Sequence, residues 1–210
     1  MHRPNAPTEY REQLKDRILK TAMQEFLTNG IKQVKMDDIA RKLGISKRTL
    51  YEIYGNKEEL LFEGIKDREM NYECHLSEFQ SKHAQSVMDI LAEYYRLQVK
   101  MFQSTSPLFF FELRKYTRIT SYLNTIHKER KEKGKLFFQC GVEEGVFRDD
   151  VDYDLIVQIS ETSMQYVMEH QLYRFYSMDH ILYNIIFLFM RGFCTEKGLV
   201  MLDERMKSIK

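Results

Sequence analysis

The chain is 210 residues long, 43% hydrophobic and 30% charged, the balance of a water-soluble globular protein and not of a disordered or collagen-like chain. A net charge of only +1 excludes a polycation acting through bulk charge. The most apolar run, residues 181–190, is interrupted by Asn184 and too short to span a bilayer.

Few prolines and glycines punctuate the chain, so it reads as a succession of helices. Thr8 is placed to cap a first helix over about Glu9–Asn29, whose apolar residues Leu14, Ile18, Ala22, Phe26 and Leu27 recur at helical spacing. Gly30 is the expected residue just past its end. A second helix covers MDDIARKL, residues 36–43, with Asp37 and Asp38 in the first turn, where carboxylates complement the helix dipole. Gly44 allows a left-handed turn, and Ser46 caps a third helix from Lys47 to Tyr54. Gly55 closes that helix. Asn56 with Glu59 resembles a capping box opening a fourth helix through Leu60, Leu61 and Ile65.

Further helices are predicted over 86–103, from Pro107 after a Ser106 cap, over about 119–144 ending at Gly145, over 153–172 with Asp152 as cap, and over 180–197 with Asp179 as cap. No repeat or flexible linker divides the chain. The predicted fold class is therefore all-α: an N-terminal three-helix helix-turn-helix domain over 1–62 and a C-terminal helical bundle over 63–210, with the boundary inside the fourth helix.

Charge is distributed unevenly. Up to Lys57 there are twelve Lys and Arg against seven Asp and Glu, a surplus of five, so the remainder is negative by four. A basic end on a neutral molecule suits a module that meets phosphate. The segment VKMDDIARKLGISKRTLYEIYGNKEELLF, residues 34–62, gives that module a shape. Ile39, Ala40, Leu43, Ile45, Leu50 and Tyr54 can close a small core with Phe26 and Leu27. The third helix is then left with Lys47, Arg48, Thr49 and Tyr51 outward. A short cationic helix of this kind fits the major groove of DNA. Arg48 suits a bidentate pair with guanine, and Tyr51 suits a phosphate. Ser46 begins the same helix. Lys57, at a helix N-terminus, and Lys35 are further candidates for the DNA backbone.

The segment resembles the DNA-binding domain of the TetR family of regulators. DDIA, LGISKRTLY, Tyr54, Asn56-Lys57-Glu58 and Leu60 stand at that family's spacing, and with the preceding helix the likeness covers about residues 9–65. A fainter likeness joins GVEEGVFRDDVDYDLI to the family's seventh-to-eighth helix junction and FMRGFCTEKG to the end of its dimerisation helix. Two positions depart from the pattern: Lys35 stands where the family usually caps its second helix with Thr or Ser, and Ile53 stands where it often has a phosphate-facing His. The resemblance implies a homodimeric repressor on palindromic double-stranded operator DNA, released by a small-molecule effector held in the C-terminal domain. The rival reading is a DNA-binding protein of the same fold that needs no inducer and serves a structural or division-control role.

The aromatic-rich middle supplies the expected pocket, mostly apolar, with Tyr95, Phe102, Phe110, Tyr122 and His127 as candidate ligand contacts. Tyr183, Ile186, Phe187 and Met190 lie on one face of the last predicted helix and are candidates for the dimer interface. The histidines lack ligand-spaced partners, so neither a metal nor another cofactor is expected. No Ser-His-Asp order, P-loop or catalytic carboxylate pair is present, so the chain does not read as an enzyme. Cys74, Cys140 and Cys194 are odd in number and form no CxxC pair; with no apolar signal segment in MHRPNAPTEYREQ they predict free thiols in the cytoplasm.

Overall fold

A computed structural model describes residues 9–207, and the predicted Thr8 cap lies outside them. The N-terminal end consists of α1 (Glu9–Asn29), α2 (Met36–Leu43), α3 (Lys47–Ile53) and the start of α4 (Lys57–Lys82). α1 buries Leu14, Ile18, Ala22, Met23 and Phe26, one stripe at helical spacing, against Ile39, Ala40, Leu50, Leu60, Leu61 and Ile65. Leu27, Leu43 and Ile45 pack at its edge. Gly64 is where α4 crosses α1: a Cβ there would lie 2.2 Å from the Met23 sulfur.

At the N-terminal end the predicted turn chemistry is realised with one exception. Gly44 adopts φ +67° and closes α2, and the Ser46 Oγ accepts from the Thr49 N–H. Asn56 Oδ1 accepts from the Glu59 N–H at 2.9 Å, but Glu59 does not complete a capping box. Its carboxylate accepts from Arg118 at 2.6 Å, so a tertiary partner has taken the group that local reasoning assigned to the cap. Lys35 begins α2 without a side-chain cap, as its chemistry requires.

The rest of the chain forms α5 (Val87–Gln103), α6 (Pro107–Leu113), α7 (Thr117–Glu143), α8 (Tyr153–Glu169), α9 (Met178–Leu182), α10 (Leu188–Phe193) and α11 (Glu196–Met206). α9 runs into α10 through a π turn, Tyr183–Phe187. α6 and the start of α7 do not pack only with their neighbours in sequence: Phe109, Leu113 and Ile119 complete the core begun by α1 to α4. Two further cores lie beyond. One joins Val87, Met88, Leu91, Tyr95, Phe147, Phe187, Met190, Phe193 and Leu202, and a smaller one joins Phe102, Met168 and Leu182.

The C-terminal end departs from the predicted single helix over 180–197. Ser177, not Asp179, is the cap, accepting from the His180 N–H; Asp179 accepts from Gln103 Nε2 at 3.0 Å instead. The helix stops at Phe193 because Cys194 is extended and pairs with Phe147 in an isolated antiparallel bridge, Arg148 N–H donating to Phe193 O at 2.9 Å and Thr195 N–H to Val146 O at 3.0 Å. Thr195 then caps α11 through the Gly198 N–H. Backbone pairing across the fold thus overrides a helical pattern that is continuous in sequence. The predicted helix over 153–172 ends early, at Glu169, where Gln171 takes φ +53°. Among the described residues no helix is long and apolar enough to cross a membrane.

Candidate nucleic-acid interface

α3 is held from beneath by Leu50, which is fully buried, and from its end by Tyr54, whose hydroxyl reaches Lys15 O. Burial pushes the Tyr54 phenol up to about 12, so it stays neutral in ordinary buffers. On this footing Lys47, Arg48 and Tyr51 stand exposed, as does Ser46 before them. Thr49 is partly buried, its hydroxyl 2.8 Å from that of Ser46. Lys47 pairs with Asp37 of α2, which brings the first turns of α2 and α3 side by side and places the exposed Lys35 next to them. Arg48 Nε lies 2.8 Å from Glu52, one turn on, while the side chain remains 88% exposed. Lys35, Ser46, Lys47, Arg48 and Thr49 therefore sit at or beside the N-terminal ends of two adjacent helices, and Tyr51 lies one turn further along α3. Lys47 and Arg48 are paired only with surface carboxylates, pairings worth about 0–1 kcal/mol that an incoming phosphate can exchange.

Lys57 is placed differently from the free surface ammonium expected of it. Its Nζ donates to Ile31 O at 2.9 Å and to Val34 O at 3.0 Å, closing the turn between α1 and α2. Burial lowers its pKa, with Glu112 opposing. Glu112, on α6, grips the same turn from the other side by accepting from the Lys32 N–H at 2.6 Å. Gly30, with φ +81°, leaves room for it: a Cβ there would stand 3.1 Å from the Glu112 carboxylate. Sequence reasoning gave Asp37 only a helix-dipole role and passed over Glu112 and Glu52; of these two, only the i,i+4 spacing of Arg48 and Glu52 was a visible signal.

Residues 18–63 match the bacterial regulatory proteins of the tetR family. The chain carries a TetR-family DNA-binding domain. The TetR-type helix-turn-helix is therefore α2 and α3, with α3 as recognition helix. Over the whole chain, solved structures share the fold. A TetR-family transcriptional regulator from Agrobacterium tumefaciens aligns with TM-score 0.70 and 12% identity over 88% of this chain and 99% of its own. A protein from Saccharomonospora viridis, solved in complex with choline, gives 0.71 and 18% over 88% and 100%. The transcriptional regulator FadR from Bacillus subtilis, solved with stearoyl-CoA, gives 0.63 and 18% over 83% and 96%. No curated protein matches the chain in sequence.

Beyond the TetR-type domain, the residues predicted for a pocket do not converge. Tyr95 belongs to the core that holds Phe187, and Phe102 packs on Phe110 with ring centroids 5.2 Å apart. Tyr122 meets Phe62 edge-on at the margin of the N-terminal core, and His127 is exposed on α7. Aromatic content alone could not separate core rings from lining rings, because both bury the same surface. Of the five, only Phe102 borders either of two open grooves, the one beside Thr28, Thr105 and Asp179. The other groove, of about 600 Å³, runs along α8 between Leu155, Ile159, Tyr166, Leu172 and Ile185 and is open to solvent.

The dimer candidates divide as well. Tyr183 is exposed and Ile186 half-buried, but Phe187 and Met190 are buried inside their own chain, so neither has a face left for a partner. The π turn explains the miss: its wider repeat shifts register, so that Leu188, on the opposite side by α-helical counting, is 65% exposed. Among the described residues no His, Cys, Asp and Glu side chains gather into a metal-binding group.

Proposed function

We propose that the chain is a homodimeric transcription repressor that binds a palindromic operator through α3 and releases it on binding a small-molecule effector in the C-terminal domain. The observation that carries this reading is the recognition helix itself, with Lys47, Arg48 and Tyr51 exposed on a rigid base at the end of a basic domain. The grip of α6 on the turn between α1 and α2 supports effector control. Ser106 N–H donates to Leu27 O at 2.7 Å and Glu112 accepts from Lys32, so a shift of α6 is passed to α2 and α3. An effector must favour the DNA-free arrangement to do this. The open apolar groove along α8, continued by Tyr183 and Leu188, supports a second copy of the chain as the partner.

Two subunits with two phosphate-facing cations each, Lys35 and Lys47, would neutralise four phosphates, with Arg48 kept for a base. The log–log dependence of affinity on salt is then expected to have a slope of about −4. Selection from random duplex DNA by the purified protein tests the reading. Recovery of an inverted repeat with half-sites about one helical turn apart is the expected result; recovery of no palindrome refutes it.

A further inference from the structure

The inward face of α4 changes character partway along. Leu61 and Ile65 are buried in the N-terminal core, and the next positions on that face are Arg68 and Tyr72. From residue 66 to 86 no α4 or following side chain is fully buried. The same holds for residues 120–140 of α7 and 153–166 of α8. Three hydrophobic cores thus surround a middle zone that none of them fills. Tyr94, on α5, shows what that zone is like. It is 40% accessible, its phenol is raised by burial, and the charges of Glu161 on α8 and Arg130 on α7 both act on it, which places it among α5, α7 and α8. Tyr72 lies near it, beside Gln98.

Glu69 and Glu73 of α4 are paired across to α7. Arg130, from α7, stacks its guanidinium 4.7 Å over the Tyr72 ring and pairs with Glu69 at 2.7 Å and Glu73 at 2.5 Å. Burial pushes the Glu73 carboxyl up, but Arg130 and Lys133 outweigh it and hold it ionised. Arg68 has no such arrangement. Among the described residues it forms no hydrogen bond and no ion pair, although it is partly buried and Glu69 is its neighbour in sequence. Burial lowers its pKa, with Glu69 opposing. A desolvated guanidinium without a carboxylate costs stability, and its planar fork is shaped for a carboxylate, phosphate or sulfonate.

Resting on the effector-controlled reading above, we propose that Arg68 is the counter-ion of an anionic effector, a small organic acid whose apolar body lies against Tyr72 and Tyr94. Gln98 supplies a hydrogen bond to the acid or to a polar substituent on it. Glu161 of α8, whose charge acts on Tyr94, is exposed, and Glu69 is the carboxylate whose charge acts on Arg68.

The full chain without DNA is titrated calorimetrically with benzoate, 2-naphthoate, octanoate and dodecanoate, each beside its neutral amide. At least one acid is expected to bind about tenfold or more tighter than its amide. Arg68→Gln is expected to bring that acid down to the affinity of the amide while leaving the ligand-free melting temperature unchanged or higher, because an unpaired charge has been removed. Arg68→Lys, which keeps the charge and loses the fork, is expected to retain a preference for the acid with weaker binding, and it serves if the Gln variant fails to fold. Amides that bind as well as every acid, acids that do not bind, or an acid whose affinity survives Arg68→Gln overturn the proposal. Operator release is measured separately: an acid that binds through Arg68 but leaves the operator occupied upholds the anion site and defeats the effector-controlled reading.

Discussion

At the scale of single residues, the recognition helix is a set of cations held in reserve. Arg48 and Lys47 are each paired with a carboxylate, Glu52 and Asp37, that would face phosphate in a complex. Arg48→Ala is expected to relax preference at one base position and to cost about 1–3 kcal/mol per half-site. Glu52→Gln is expected to do the opposite to affinity, strengthening binding several-fold and steepening its salt dependence, since a carboxylate that competes for Arg48 and repels phosphate is gone. Gel shifts across operator variants and salt concentrations check both; a Glu52→Gln protein that binds more weakly would show that the pair orients Arg48 on DNA. Lys57 makes a different prediction. Lys57→Met leaves the Ile31 and Val34 carbonyls without their donor, so unfolding stability is expected to fall by about 1–3 kcal/mol along with DNA affinity. If only DNA affinity falls, with the denaturant midpoint unchanged, the ammonium serves phosphate and not the turn.

At the scale of elements, what could be read in advance was what is local. The extents of α1 and α2, the left-handed Gly44, and the Ser46, Ser106 and Asp152 caps follow from residues within a few positions of each other. The misses share a cause. Glu59 left its cap for Arg118, Cys194 left its helix for Phe147, and the π turn rotated Phe187 inward; in each case a partner far along the chain decided. The helix-turn-helix was legible because its pattern is short and self-contained, whereas the packing beyond it depends on how helices far apart in sequence happen to face. Close crossings are set in the same nonlocal way. A Cβ on Gly141 of α7 would come within 1.9 Å of the Phe147 ring, which sits among Phe137, Phe138, Tyr153 and Phe193 and cannot swing aside. Gly141→Ala is therefore expected to destabilise by about 1–3 kcal/mol or more, against the usual gain for Gly→Ala in a helix. Chemical denaturation measures it, and a stabilised variant would mean that α7 can slide away from the loop after it.

At the scale of the whole molecule, the apolar surface left on α8 and at the π turn is the face on which the proposed dimer would form. Leu188→Asp and Ile159→Asp place charges on exposed apolar positions and are expected to yield folded monomers, by sedimentation, that have lost operator binding. Phe187→Asp differs: its side chain is buried against Tyr95, so unfolding, not dissociation, is the expected result. A Leu188→Asp protein that remains dimeric would locate the contact elsewhere.

The core that supports α3 has a practical consequence for anyone wishing to move it. Ile18, Phe26 and Ile39 are shielded partly by Phe109, Leu113 and Ile119, which arrive from α6 and α7 some fifty residues beyond the helix-turn-helix. A fragment cut at residue 62 would keep every candidate DNA contact and lose that shield, along with the carboxylate that holds Lys32. Grafting this reading head onto another protein's sensor would accordingly require carrying a matching α6 with it, or refilling the three vacated positions from the new host.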